Sequence, residues 1–260
     1  MAYREKETVK VLAQECLADG IFSMWMETEA AKTARPGQFI SMYTNDAGKL
    51  LPRPISICET DGKEKLRVVY RVTGEGTGTE QFSRMKAGDT LDIIAPLGNG
   101  FPLGRAKGRR VFLMGGGIGV PPILELAKQM ECKEKQIIVG YRNGQTFLRE
   151  EFEQNGTLYI STEDGSVGTK GNVMDAVRGN GLRGDIIYAC GPAPMLRAIK
   201  EFAGDNHMEC YISLEERMAC GIGACLGCVC QSKEKDPHSN VKNKRICKDG
   251  PVFLATEVEI

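Results

Sequence analysis

An antiparallel β-barrel, then a parallel α/β sheet, then a short cysteine-rich module: this is the fold the sequence predicts. Three observations carry it. The first hundred residues read as brief strands cut by turn signals. The next hundred alternate strands with helices. Five of the ten cysteines fall at or after Cys220. The 260 residues suit one large or two modest domains, and an apolar fraction of 42% suffices for a core. Lys+Arg and Asp+Glu both number 34, and no basic block stands out, which argues against nucleic acid as a partner. No run approaches the length of a membrane span. The opening MAYREKETVKVLAQECLADG is too charged for a secretory signal. The expectation is a cytoplasmic protein with mostly reduced thiols. Crowded cysteines there indicate a metal centre rather than a disulfide framework.

The barrel is expected over residues 1–102. Its strands are KVLAQECLA, IFSMWMET, GQFISMY, ISICET, KLRVVYRV and DTLDIIAPL. The segments ADG, ARPG, TNDAG, TDGKE and KAGD separate them. TEQFSRM is the one helical candidate. Closure would remove the sheet's exposed edges. GNGFPLGRAKG, residues 98–108, reads as a linker. Over residues 103–215 the strands RRVFLMG, KQIIVGYR, GTLYISTE, DIIYAC and HMECYISLEE alternate with helices. The helices are PPILELAKQM, TFLREEFEQ, GNVMDAVRG and APMLRAIKEFA. Short apolar strands of this kind suit a sheet covered on both faces, a Rossmann-like arrangement. Residues 216–260 hold the cysteine segment and the tail GPVFLATEVEI.

Two turns at the sheet's carboxyl edge carry candidate chemistry. GGGIGVPP places Gly115, Gly116, Gly117, Ile118 and Gly119 between a strand and a helix. Free backbone N–H groups there can face a phosphate, and Pro121 and Pro122 suit early helical positions. The pattern departs from G-x-G-x-x-G, so a plain strand-to-helix turn is the competing reading. CGPAPML places Cys190, Gly191 and Pro192 in a second such turn. If the two strands are neighbours, both turns face one crevice, where open α/β sheets bind nucleotides. Cys190 then lies near a nicotinamide ring, or is simply a buried thiol. The second strand ends GYRNG, without the acid that favours NAD. Arg142 is there instead, able to meet a 2′-phosphate or to remain solvated.

In the barrel, RPISI supplies Arg53, which can pair with a diphosphate at two points, and Ser56, which can donate to a ring atom. YRVTGEGTGTEQFS adds a glycine–threonine turn, a second possible anion nest. Either piece can also be plain barrel architecture. Their coexistence with a nucleotide sheet and a metal segment suggests a flavin, which exchanges both hydride and single electrons. Cys220, Cys225, Cys228 and Cys247 are spaced C-x4-C-x2-C-x18-C, the plant-type [2Fe–2S] arrangement. Zinc is the competing metal, though its sites usually show two C-x2-C pairs. Cys230 is surplus, a small buried neighbour by default. His207 and His238 sit in polar surroundings and read as surface residues.

LLPRPISICE, YRVTGEGTGTEQFS, DIIAPLGNGFPL, GGGIGVPPILELAK, YACGPAPML and CGIGACLGCVC together resemble one family in order along the chain. It is the electron-transfer subunits of NAD-linked, class B dihydroorotate dehydrogenases, in the ferredoxin reductase-like superfamily. The resemblance implies that Arg53, Pro54, Ile55 and Ser56 line FAD, that Tyr70, Arg71 and Val72 pass along it, and that Gly78 and Thr79 hold its diphosphate. Gly76 and Thr77 match that last motif equally well. It implies that Gly115 to Gly119 and Cys190–Gly191–Pro192 accommodate NAD, and that the four spaced cysteines bind a [2Fe–2S] cluster. It also implies a partner: a TIM-barrel catalytic subunit carrying FMN, two copies of each, oxidising dihydroorotate in pyrimidine (UMP) biosynthesis. Electrons would pass from FMN through the cluster and FAD to NAD⁺. No catalytic acid or base is expected in this chain. A related subunit of an NADP-linked ferredoxin reductase or sulfide dehydrogenase would share these modules. A zinc-stabilised nucleotide-binding module is the more distant reading.

Overall fold

A computed structural model of the chain describes residues 6–235 and 240–260. His238 therefore lies outside the described residues. Six strands close a barrel: β1 (Lys6–Ala18), β2 (Ile21–Glu27), β3 (Phe39–Met42), β4 (Arg53–Thr60), β5 (Lys65–Arg71) and β6 (Thr90–Leu97). Their order is β1-β2-β5-β4-β3-β6. The two-residue period of a strand explains the interior. Val9 and Val11, Met24 and Met26, Ile40 and Met42, Leu66, Val68 and Tyr70, and Leu91 and Ile93 alternate inward into one cluster. Each such burial contributes about 1.5–3 kcal/mol. The short helix α1 (Gly78–Ser83) follows β5. A further 3₁₀ turn, at Glu29–Lys32, lies outside the elements expected from sequence. The Thr28 hydroxyl caps it, accepting from the Ala30 N–H at 3.1 Å.

Residues 98–108, expected as a linker, contain a 3₁₀ turn at Leu103–Ala106. Beyond it the chain forms β7 (Arg110–Gly116), α2 (Pro121–Gln129), β8 (Glu134–Tyr141) and α3 (Arg149–Glu153). Then come β9 (Thr157–Thr162), β10 (Thr169–Lys170), α4 (Val173–Gly179), β11 (Ile186–Cys190), α5 (Ala193–Asp205) and β12 (Glu209–Ser213). The last segment adds the ribbon β13 (Val229–Gln231) and β14 (Asn243–Arg245), then α6 (Ile246–Asp249) and β15 (Val252–Leu254).

The large sheet runs β10-β9-β8-β7-β11-β12-β15. It is mixed rather than purely parallel, because the tail strand β15 adds antiparallel to β12. Helix α3 is shorter than TFLREEFEQ suggests, since Leu148 adopts φ 64° and blocks helix before Arg149. Alternate strand residues face opposite layers. Val111 and Leu113 pack with α2 and α3 and with Ile21, Cys58 and Val69 of the barrel. Phe112 and Met114 pack in the layer of α4 and α5, which also takes in Phe39, Leu97, Cys228, Cys247 and Phe253. Both apolar layers therefore reach the barrel, and the cysteine segment belongs to the second. Among the described residues no helix is long and apolar enough to cross a membrane.

Candidate functional site

A cleft of about 980 Å³ opens between the barrel and the sheet. Arg53, Pro54, Ile55 and Ser56 of β4 form one wall, with Tyr70, Arg71 and Thr79 beside them. Ile118 of the glycine turn forms part of the opposite wall. The Tyr70 ring itself lies in the barrel core, edge-on to Phe82, with its hydroxyl against Gln14 Oε1 at 2.9 Å. Val72 does not line the cleft; its N–H donates to the Gly20 carbonyl at 2.8 Å.

The two Gly-Thr pairs occupy different places. Thr77 is the N-cap of α1, its hydroxyl donating to Gly74 O at 2.7 Å and accepting from Glu80 N–H at 3.3 Å. Gly76 is exposed. Thr79 lines the cleft, and Gly78 lies against Arg53: a Cβ there would sit 2.8 Å from the Arg53 Nε. Arg53 and the start of α1 thus share one corner, with a guanidinium beside helix N–H groups. That combination suits an anion. The cleft's size and its mix of apolar wall and convergent polar groups fit a large cofactor such as FAD.

The two sheet turns meet. Strands β7 and β11 are parallel neighbours, with Gly115 opposite Cys190. A Cβ on Gly119 would lie 2.5 Å from the Cys190 carbonyl oxygen, and one on Gly116 would lie 2.3 Å from the Met195 sulfur. These glycines therefore let the turns touch. Gly115, Gly116, Gly117 and Gly119 of the first turn, and Cys190, Gly191 and Pro192 of the second, do not line the cleft; Ile118 does. Cys190 is fully buried, and burial pushes its thiol well above the usual range. It remains a neutral thiol. Arg142 is exposed, as is His207.

Sequence reading missed the segment from Ser213 to Met218, which lines the cleft after β12. Its position at the carboxyl end of a sheet strand was the available signal. Glu215 lines the cleft with its side chain open to solvent. Desolvation raises its pKa, and the charge of Arg71 opposes that rise.

Two residues beyond Met218 the cysteine loop begins. All ten cysteines are free thiols. Among the described residues, no three His, Cys, Asp or Glu converge to hold a metal ion. The cysteines gather instead as pairs. Cys220 lies beside Cys225, and Cys228 beside Cys247. The pairs are near enough for Cys220 to perturb Cys247 electrostatically. Backbone N–H groups aim at the sulfurs: Ala224 to Cys220 at 3.3 Å, and Cys247 to Cys228 at 3.4 Å. Burial raises the Cys220 thiol, but the N–H groups of Ile222, Cys225 and Ala224 win and bring it to about 7. The Cys247 thiol and nearby N–H groups bring Cys228 to about 6. Thiols gathered in two pairs and met by amide donors can serve as metal–thiolate ligands. Cys230 lies on β13, opposite Lys244, and packs against the sheet's second apolar layer.

Residues 215–259 match the family model for the iron–sulfur cluster binding domain of dihydroorotate dehydrogenase B, and residues 10–101 match that for the oxidoreductase FAD-binding domain. The chain is 42% identical to the electron transfer subunit of dihydroorotate dehydrogenase B (NAD(+)) from Geobacillus sp. (strain WCH70), covering 98% of both proteins. It is 43% identical to the corresponding subunit of Caldanaerobacter subterraneus subsp. tengcongensis, over 98% of this chain and 99% of that one. In structure it is similar to a chain of the NADH-dependent reduced ferredoxin-NADP oxidoreductase, with a TM-score of 0.85, 27% identity, and coverage of 96% and 89%. A ferredoxin NADP+ reductase from Neisseria gonorrhoeae shares the fold, with a TM-score of 0.67 at 15% identity over 78% of this chain and 92% of that one. With barrel, sheet and cysteine loop all aligned end to end with these relatives, the chain belongs to the family of electron-transfer subunits of dihydroorotate dehydrogenase B.

Proposed function

We propose that this chain holds FAD in the barrel cleft and a [2Fe–2S] cluster on Cys220, Cys225, Cys228 and Cys247, and that it delivers to NAD⁺ the electrons released when a catalytic partner oxidises dihydroorotate. One observation carries the reading. A single cleft is bounded by the RPISI strand of the barrel, by Ile118 of the nucleotide turn, and by the segment that runs straight into Cys220. The three modules therefore converge on one place. Residues 1–102 serve the flavin, 103–215 the nicotinamide nucleotide, and 216–260 the cluster.

When bound, a flavin supplies the exchange between two-electron hydride and single-electron chemistry. The chain's own residues bind and orient. Arg53 with Gly78 and Thr79 holds a diphosphate, and Ser56 offers a hydroxyl at the wall. The turns at Gly115–Gly119 and Cys190–Gly191–Pro192 place the nucleotide beside Ile118. Buried, neutral Cys190 packs the crevice rather than attacking anything. Exposed Ile222, Leu226, Val229 and Val241 give the cysteine module an apolar surface, which supports docking of the partner there. By kinship that partner is an FMN-bearing TIM-barrel subunit, in a heterotetramer of two copies each. The free cysteines suit the reducing cytoplasm. NAD⁺ rather than NADP⁺ follows from the relatives' names.

The test is reconstitution. The isolated chain should contain flavin, iron and acid-labile sulfide, and should oxidise NADH with an artificial acceptor in clear preference to NADPH. It should be inert to dihydroorotate until the barrel subunit is added. A colourless zinc protein, a preference for NADPH, or dihydroorotate turnover by the chain alone would overturn the assignment.

A further inference from the structure

A buried hydroxyl without a partner is rare, because it has given up its bonds to water with nothing in return. Among the described residues two side chains carry such an atom, Ser41 and Ser161. Ser41 points to a function. It is fully buried, at 0% exposure. Its neighbours Ile40 and Met42 fill the barrel interior, so the pleat of β3 turns Ser41 outward, as it does Phe39. Phe39 and Leu97 belong to the apolar layer that contains Cys228 and Cys247. The Ser41 hydroxyl thus leaves the barrel toward the cysteine loop, where it meets Gly221. A Cβ on Gly221 would lie 2.7 Å from the Ser41 Oγ and 3.4 Å from Leu97 Cδ1. Gly221 directly follows Cys220 and adopts φ 69°, which also disfavours any side chain. Glycine therefore keeps the space before the hydroxyl open, and the loop backbone beside Cys220 lies directly across it.

We propose that Ser41 donates its hydroxyl hydrogen to an anionic sulfur of the iron–sulfur group at the Cys220 loop, and thereby raises that group's reduction potential. The inference rests on the assignment of the four cysteines to the cluster. A donor to sulfur stabilises the more negative, reduced state. The thiolate and sulfide atoms of such a group are strong acceptors, and they would satisfy a hydroxyl that has no partner in the protein. Ser41 is a positioning and tuning residue, not a ligand.

The experiment compares wild type, Ser41→Ala and Ser41→Thr as full-length, cluster-loaded proteins. Iron and labile sulfide are counted first. Each cluster is then titrated by EPR, and its iron–sulfur stretching bands are recorded in H₂O and D₂O. Ser41→Ala should shift the reduction equilibrium toward the oxidised cluster by up to about tenfold, or about 59 mV for one electron. It should also lose part of the bands' sensitivity to D₂O. Ser41→Thr keeps the hydroxyl and should stay near wild type on both measures. Unmoved potential and bands in Ser41→Ala, with full cluster content, would overturn the proposal alone. Equal shifts in both variants would also overturn it, assigning the effect to packing. A wild type without iron and sulfide would overturn the cysteine assignment itself, and this proposal with it.

Discussion

At Gly119 one added carbon would lie 2.5 Å from a backbone carbonyl, that of Cys190. Neither main chain can yield as a flexible side chain could. Gly119→Ala should therefore force the two turns proposed to hold the nucleotide apart, at the cost of about 1–3 kcal/mol that overpacking typically carries. We expect a lower Tm and a higher KM for NADH with flavin content retained; an unchanged KM would separate this contact from nucleotide binding. Glu215 makes the opposite kind of prediction. Desolvation raises its pKa above the ordinary value of 4.5, with Arg71 opposing. A carboxyl whose folded pKa is raised favours the folded state at low pH and loses that contribution as pH rises through the folded value. Glu215→Gln should accordingly melt higher than wild type near pH 7, and the difference should close toward pH 4. A gain that persisted at pH 4 would refute the desolvation argument.

The cysteine loop tests ligand identity as an element. Serine at Cys220, Cys225, Cys228 or Cys247 should lose or strongly alter the cluster's absorption and EPR spectra, because four thiolates hold two irons. Serine at Cys230, which packs on β13, should leave both spectra nearly intact. The reverse pattern would reassign the set. The elements themselves were largely legible in sequence, and for a definite reason. The barrel strands show their two-residue period in pairs such as Met24 and Met26, and the sheet strands are continuous apolar runs such as DIIYAC. What escaped depends on chain that is distant in sequence. Strand β15 is three residues long and exists only because β12 offers it an edge. The Thr28-capped turn is four residues of ordinary composition. The Ser213–Met218 wall carries no motif, and nothing in SLEERM tells that it faces a cleft until β12 is placed between β11 and β15. Ser41 was invisible too, since an unpartnered hydroxyl is defined by its surroundings and not by its neighbours in the chain.

Across the whole molecule, the barrel and the sheet are joined by a charged seam as well as by apolar packing. Arg67 of β5, whose side chain is 6% exposed, bonds Glu59 of β4 at 2.8 Å and Ser23 of β2 at 2.8 Å. It also reaches Glu151 of α3 at 3.4 Å. Glu59 in turn bonds Lys128 of α2, and the Thr60 N–H donates to Glu125 of α2 at 3.3 Å. The geometry gives this seam a consequence for the cleft. Strand β4 begins at Arg53 in the cleft wall and ends at the seam, while α2 begins just after the glycine turn and ends at the same seam. The strand and the helix form a strut that sets the distance between the proposed flavin wall at Arg53 and the glycine turn proposed for the nucleotide. Hydride transfer requires reacting atoms about 3–3.5 Å apart, so a small change in that distance affects rate more than affinity. Removing one partner of a buried pair strands the other, at a cost of about 3–5 kcal/mol, whereas replacing both by apolar residues is often close to neutral. Arg67→Met alone should therefore lower Tm sharply, and should reduce kcat for NADH oxidation with flavin content unchanged. Adding Glu59→Leu to Arg67→Met should recover part of the Tm, because it removes a buried carboxylate that would otherwise keep its bond to the part-exposed Lys128 but not the one to Arg67. It should recover less of kcat, because the strut's directional bonds are gone. Equal Tm loss in the single and double variants would show that the stranded charge was not the cause. Full recovery of kcat in the double variant would show that apolar packing alone holds the two units in register.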